Sequence, residues 1–222
     1  MLAPPDATDD AYMLLLPTRI LAFGDSLTAG MVARDTYAPY GDRVAARLGA
    51  AVTSRGVVME SVHAMPARLR RVLAEDDDAR FDAMIILGGS NDLWKGDPDA
   101  IWQSLQQCYS MARSEDAALG MATLPPFEPA PMRWLEPLTG CATLTETTRQ
   151  EVNARVRAAA GSSEDAFLVD LAAICDEAPL ARPDGMHLEA AGYEALGEAA
   201  ASAIVEFCGG ERGAVPSRPP LT

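Results

Sequence analysis

Between Arg19 and Cys208, short continuous apolar runs alternate with stretches whose apolar residues recur at helical spacing. The runs RILAFG (19–24), AAVTSRGV (50–57), DAMIILGG (82–89), 117–124 and AFLVDL (166–171) predict five strands, and the glycine-terminated run at 82–89 is the clearest. Helices are predicted over 37–48, 65–74, 98–113, 145–160 and 189–207. This alternation implies an α/β domain: a mostly parallel five-stranded sheet with helices on both faces. Ligands in such folds bind beyond the carboxyl ends of the strands, so residues that carry chemistry are expected just after strands. The segments GDS (24–26), GGSND (88–92) and DGMH (184–187) meet that expectation.

The pattern is interrupted at 125–141, PPFEPAPMRWLEPLTGC, whose five prolines exclude regular helix or sheet throughout. Long irregular connections on the strand-end side are often functional. Phe127 and Trp134 there either line a pocket or anchor the loop to the core, and Trp94 and Trp102 are further candidates for shaping a pocket. The length of 222 residues suits one domain. It is expected over 17–208, with a loosely packed lead-in at 1–16 and a flexible tail at 209–222.

Composition changes the picture mainly by exclusion. The formal charge of −14 speaks against nucleic acid and anionic membranes as electrostatic partners. Cys108, Cys141, Cys175 and Cys208 show no C-x-x-C spacing, and buried thiols are expected. No segment is long and apolar enough to span a bilayer, and the acidic start lacks the basic flank of a signal peptide, which predicts a soluble, cytoplasmic protein. Nothing in the pattern bears on oligomeric state.

Two histidines restrict the candidates for acid–base chemistry. His187 follows Asp184 by three residues, a spacing at which a carboxylate can orient an imidazole and stabilise its charged form. His63, flanked at helical spacing by Met59 and Ala67, is read as structural. A serine nucleophile needs exposure at a strand end within reach of a base. Ser26 follows the first strand directly, between Gly24 and Gly30, although Asp25 or Ser26 would serve equally as a helix N-cap. Ser90 is the rival, but Asp92 stands where a G-x-S-x-G elbow needs glycine. Asn91 beside it can donate its amide to an oxyanion, or with Asp92 simply end the strand and cap the next segment.

Taken in order, Gly24-Asp25-Ser26-Leu27, Gly89-Ser90-Asn91-Asp92 and Asp184-Gly185-Met186-His187 resemble the first, third and fifth blocks of the SGNH hydrolases, also called GDSL esterases and lipases. The resemblance covers roughly 18–207. It implies a flavodoxin-like three-layer α/β/α sandwich, the SGNH hydrolase fold, with Ser26 as nucleophile, His187 as base, Asp184 as its orienting acid and Asn91 as an oxyanion donor. In the second block, usually N-x-G-x-x-G, Gly56 matches the first glycine and Met59 replaces the second. A backbone N–H survives that replacement, so Met59 remains the expected third donor beside Ser26 N–H and Asn91.

The resemblance implies acyl transfer to water from a small or medium acyl ester, with no cofactor and no metal. Three alternatives stay open. One is a metal-dependent hydrolase using Asp184, His187 and Glu189, which the scarcity of histidine disfavours. A second is a non-catalytic binding module on the same fold, and a third an acyltransferase with an alcohol acceptor.

Overall fold

A computed structural model of the protein describes residues 16–33, 35–75, 80–127, 142–177 and 184–210, the side chains of 142–144 and 176–177 excepted. Most of the expected lead-in and tail, the greater part of the proline-rich connection and Trp134 lie outside the described residues.

Five parallel strands form one sheet in the order β4-β1-β5-β6-β7: β1 (Arg19–Gly24), β4 (Ala51–Gly56), β5 (Ala83–Leu87), β6 (Ala118–Ala122) and β7 (Ala166–Val169). The apolar runs become strands because both faces of a parallel sheet are covered, and β1, β5 and β6 are buried almost throughout. The helices α2 (Tyr40–Leu48), α3 (Met65–Glu75), α4 (Pro98–Ser114), α5 (Ala142–Gly161) and α7 (Ala190–Gly209) supply the outer layers. This is the expected three-layer α/β/α sandwich.

The differences from the sequence reading lie at the ends of elements. The helix expected from residue 37 starts at Tyr40, because Pro39 fixes its N-cap in extended backbone. Tyr37 belongs instead to a small hairpin, β2 (Met31–Ala33) paired with β3 (Thr36–Tyr37). The last strand stops at Val169, and the Asp170 carboxylate accepts from the Ala173 N–H and the Thr123 hydroxyl, opening α6 (Leu171–Glu177). Two short helices also escape the periodicity, α1 (Ser26–Ala29) and a 3-10 turn at Ser90–Lys95. Each is too short to show a period.

Both short helices follow central strands, and their placement depends on close approach. A Cβ on Gly56 would stand 2.0 Å from the Ala29 nitrogen and 2.6 Å from the Thr28 carbonyl carbon, so only glycine lets α1 rest on the end of β4. The chain leaves α1 through Gly30, at φ +73°, whose N–H caps the Leu27 carbonyl. On the far side, the Tyr193 hydroxyl of α7 donates to the Met31 carbonyl at 2.9 Å, tying the last helix to the segment after α1. We expect Gly56→Ala to displace α1 and to cost on the order of 2–4 kcal/mol in urea unfolding, an overpacking penalty against rigid backbone.

Candidate active site

Asp25 ends β1 and begins α1. Its side chain accepts from the Leu27 N–H at 3.0 Å, so it is the N-cap and Ser26 the first helical residue. Ser26 therefore stands at the carboxyl end of β1 with its N–H in the first helical turn, where no intrahelical acceptor exists. His187 enters from 161 residues away, with Nε2 2.8 Å from the Ser26 hydroxyl oxygen and Nδ1 2.6 Å from Asp184 Oδ2. The DGMH segment is a turn rather than a helix. Asp184 Oδ1 accepts the backbone N–H groups of Met186 (2.9 Å) and His187 (2.8 Å), leaving Oδ2 for the ring. Partial burial pushes the Asp184 carboxyl up, but the bonds from the His187 ring and the two N–H groups outweigh it and hold the group below its ordinary value. An anion beside Nδ1 favours the tautomer with its proton there, leaving Nε2 free to accept from Ser26.

Ser26 and the rival Ser90 are both buried, so the exposure expected of the nucleophile is not met by either side chain; what separates them is that His187 reaches Ser26. Asn91 reaches across to the second block, its amide donating to the Glu60 carbonyl at 2.9 Å; one amide hydrogen is left for another acceptor. Met59, one residue before Glu60, has φ +63°. That is the left-handed region glycine adopts freely and a side chain disfavours, at a cost of about 1–2 kcal/mol.

Asp92 does not cap the 3-10 turn, whose N-cap is Gly89 without a side-chain bond; its carboxylate reaches the second block instead. It is buried and spans two blocks: Oδ2 accepts the Val62 N–H at 2.6 Å, and Oδ1 accepts the Ser61 hydroxyl and Lys95 ammonium, each at 2.7 Å. Burial pushes its carboxyl up, yet Lys95, Ser61 and Val62 bring it below the ordinary range. His63 is exposed, with Nδ1 2.9 Å from the Ser104 hydroxyl and Nε2 3.9 Å from Asp92.

Arg68 is a residue that sequence reasoning misses. From α3 its guanidinium donates to the Arg55 carbonyl (2.9 Å), the Gly24 carbonyl (2.8 Å) and Glu60 Oε1 (2.6 Å), and it lies 3.9 Å from the Phe23 ring centroid. Its side chain is 13 % exposed and that of Glu60 7 %, so the pair is largely desolvated. Nothing in a local pattern distinguishes Arg68 from Arg70 and Arg71, which are exposed on the same helix.

Cys108, Cys175 and Cys208 are buried, and burial pushes the Cys108 thiol up to about 12 and that of Cys208 to about 11. Thiols so perturbed are poor nucleophiles. Cys141 lies outside the described residues. Phe127 and Trp102 pack against the core, whereas Trp94 is exposed. Among the described residues, no group of three or more His, Cys, Asp or Glu side chains is placed to hold a metal ion, and no helix is long and apolar enough to cross a membrane.

The hydrogen-bonded series of Ser26, His187 and Asp184 is thus carried on a parallel α/β/α sandwich. The family model described as GDSL-like Lipase/Acylhydrolase matches residues 22–195, and the chain belongs to that family. It is thus an esterase- or lipase-type hydrolase in general terms. Similar solved structures include a lipolytic protein of the G-D-S-L family from Veillonella parvula DSM 2008, with TM-score 0.68 and 18% identity over 82% of this chain and 95% of that one. The lipase/acylhydrolase from Enterococcus faecalis gives TM-score 0.62 and 21% identity over 84% and 95%. A GDSL-like lipase from Bacteroides thetaiotaomicron VPI-5482 gives 0.63 and 18% over 91% of each chain. No curated protein matches the chain in sequence.

Two measurements test the framework of the site. Removing Arg68 (Arg68→Ala) leaves Glu60 buried without its partner and is expected to cost about 3–5 kcal/mol in chemical denaturation. Asp25 is fully buried, and burial raises its carboxyl from 3.8 to about 6 against the opposing pull of the Leu27 N–H, the His187 charge and the Ser90 N–H. The folded state thus favours the protonated acid, so this group's contribution is greatest below pH 4 and is lost as pH rises through about 6. Asp25→Asn, which keeps an acceptor for Leu27, is expected to gain on the order of 3 kcal/mol over wild type at pH 7. The gap in Tm between variant and wild type should widen between about pH 4 and 6.5 and stay level above that.

Proposed function

We propose that the protein is a serine esterase that hydrolyses small or medium acyl esters through an acyl-enzyme on Ser26. The observation that carries this reading is the unbroken series Ser26 hydroxyl, His187 Nε2, His187 Nδ1, Asp184 Oδ2, with both links at hydrogen-bond distance. Only the Ser26 proton need move, and only as far as His187 Nε2.

In the first step the Ser26 oxygen bonds to the ester carbonyl carbon while Nε2 takes its proton. The carbonyl oxygen becomes an oxyanion, for which the Ser26 and Met59 N–H groups and the Asn91 amide are the donors. Collapse of the tetrahedral intermediate breaks the bond to the leaving alcohol, which receives the proton from His187. Water then repeats the sequence on the acyl-enzyme, releasing the acid and restoring Ser26. The Asp184 carboxylate stays ionised and stabilises the imidazolium. A non-catalytic binding module on the same fold is the alternative, and the activity measurement below separates the two. An alcohol in place of water would make the same site an acyltransferase.

Hydrolysis of p-nitrophenyl esters of increasing acyl length tests the proposal. Ser26→Ala is expected to lower kcat by at least about 10³-fold, and Asp184→Asn by on the order of 10³ to 10⁴-fold, since the amide favours the wrong histidine tautomer. Full activity in folded Ser26→Ala would overturn the reading.

A further inference from the structure

Four large hydrophobic side chains are strongly exposed among the described residues: Tyr37, Val57, Met59 and Trp94. Three of them lie on the two segments that bear the candidate oxyanion donors. Val57 (41 % exposed) and Met59 (80 %) belong to the second block, and Trp94 (46 %) sits three residues beyond Asn91. Hydrogen bonds centred on Asn91 join these segments. Its amide donates to the Glu60 carbonyl, next to Met59, and its own carbonyl accepts the Trp94 indole N–H at 2.7 Å, which fixes the ring.

Met59 is the unusual member. It combines left-handed backbone, which disfavours any side chain, with a side chain that gains almost nothing from burial. Neither the fold nor the packing accounts for methionine there, and strain of this kind concentrates at sites of function. A thioether chain is flexible and polarisable and adapts its shape to an apolar ligand. The charged neighbours are occupied: Lys95 is bonded to Asp92 and lies 5.6 Å from the Trp94 ring centroid, and Glu60 is paired with Arg68.

We propose that Met59 and Trp94 form a specificity-determining apolar rim that holds a neutral, unbranched acyl chain beside the oxyanion site. This rests on the serine-esterase reading above. A chain lying against exposed apolar side chains has part of each methylene shielded from water, which corresponds to a gain of about two- to fourfold in kcat/KM per added CH₂. The preferred substrates are then medium-chain acyl esters rather than acetates.

The test compares kcat/KM for p-nitrophenyl octanoate and acetate in wild type, Met59→Gly, Trp94→Ala and Met59→Leu. Acetate is the reference within each variant, so any general loss of activity cancels. The octanoate-to-acetate ratio is expected to fall at least about tenfold in Met59→Gly and in Trp94→Ala, and to stay within about threefold of wild type in Met59→Leu. A ratio unchanged in both of the first two variants overturns the rim and leaves the esterase reading intact. If wild type hydrolyses neither ester, the esterase reading fails and the rim is judged by binding alone. Methyl octanoate, but not methyl acetate, should shift the ¹³C-methyl resonance of Met59 in Ser26→Ala, assigned by its loss in Met59→Leu. No shift at that methyl overturns the proposal.

Discussion

The Gly24 carbonyl, at the end of β1, is where the site and the fold are joined. It accepts from the Val57 N–H at 3.0 Å and from the Arg68 guanidinium at 2.8 Å, while the next residue, Asp25, donates its N–H to the Leu87 carbonyl at 3.3 Å. The ends of three adjacent strands are thereby held together beyond the last ladder bond. In a parallel sheet the backbone groups at the strand ends are otherwise left to loops, and a buried one left unpaired is costly. Arg68 meets that need with one side chain, and its charge is in turn matched by Glu60. Removing either charge would disturb the nucleophile and the oxyanion block together.

The second and third blocks are joined by a comparable sharing of acceptors. The Asp92 carboxylate accepts bonds from Ser61, Val62 and Lys95, and Asn91 donates to Glu60, so the 3-10 turn and the segment before α3 are braced as one unit. Preorganised donors favour an oxyanion because they need no rearrangement when charge develops. Asp25 contributes a different property. Its burial keeps an ionisable acid behind the nucleophile in a position that opposes ionisation, so that stability and site charge change over the same pH interval.

How far the sequence could be read depended on the range over which a residue acts. Strands buried on both faces announced themselves as apolar runs, and the long helices as periodic ones. The Asp184–His187 relation was also legible, because the residues that orient the imidazole lie within one turn of it. The short helix at Ser26, the 3-10 turn at Ser90 and the Tyr37 hairpin were not, since elements of two to six residues carry no period. Arg68 was invisible for another reason: its partners, Gly24, Arg55 and Glu60, come from separate stretches of chain, and only the packing of α3 on the sheet selects it over its neighbours.

The sequence by itself therefore determined the α/β/α class, the order of the three blocks along the chain and the identities of Ser26, Asp184 and His187 as candidates, because apolar period and local spacing are properties of contiguous residues. Tertiary structure alone decided that His187 reaches Ser26 across 161 positions, that Asp92 braces the second block and that Met59 takes left-handed backbone. Those outcomes depend on distances between segments, and such distances exist only once the sheet has assembled.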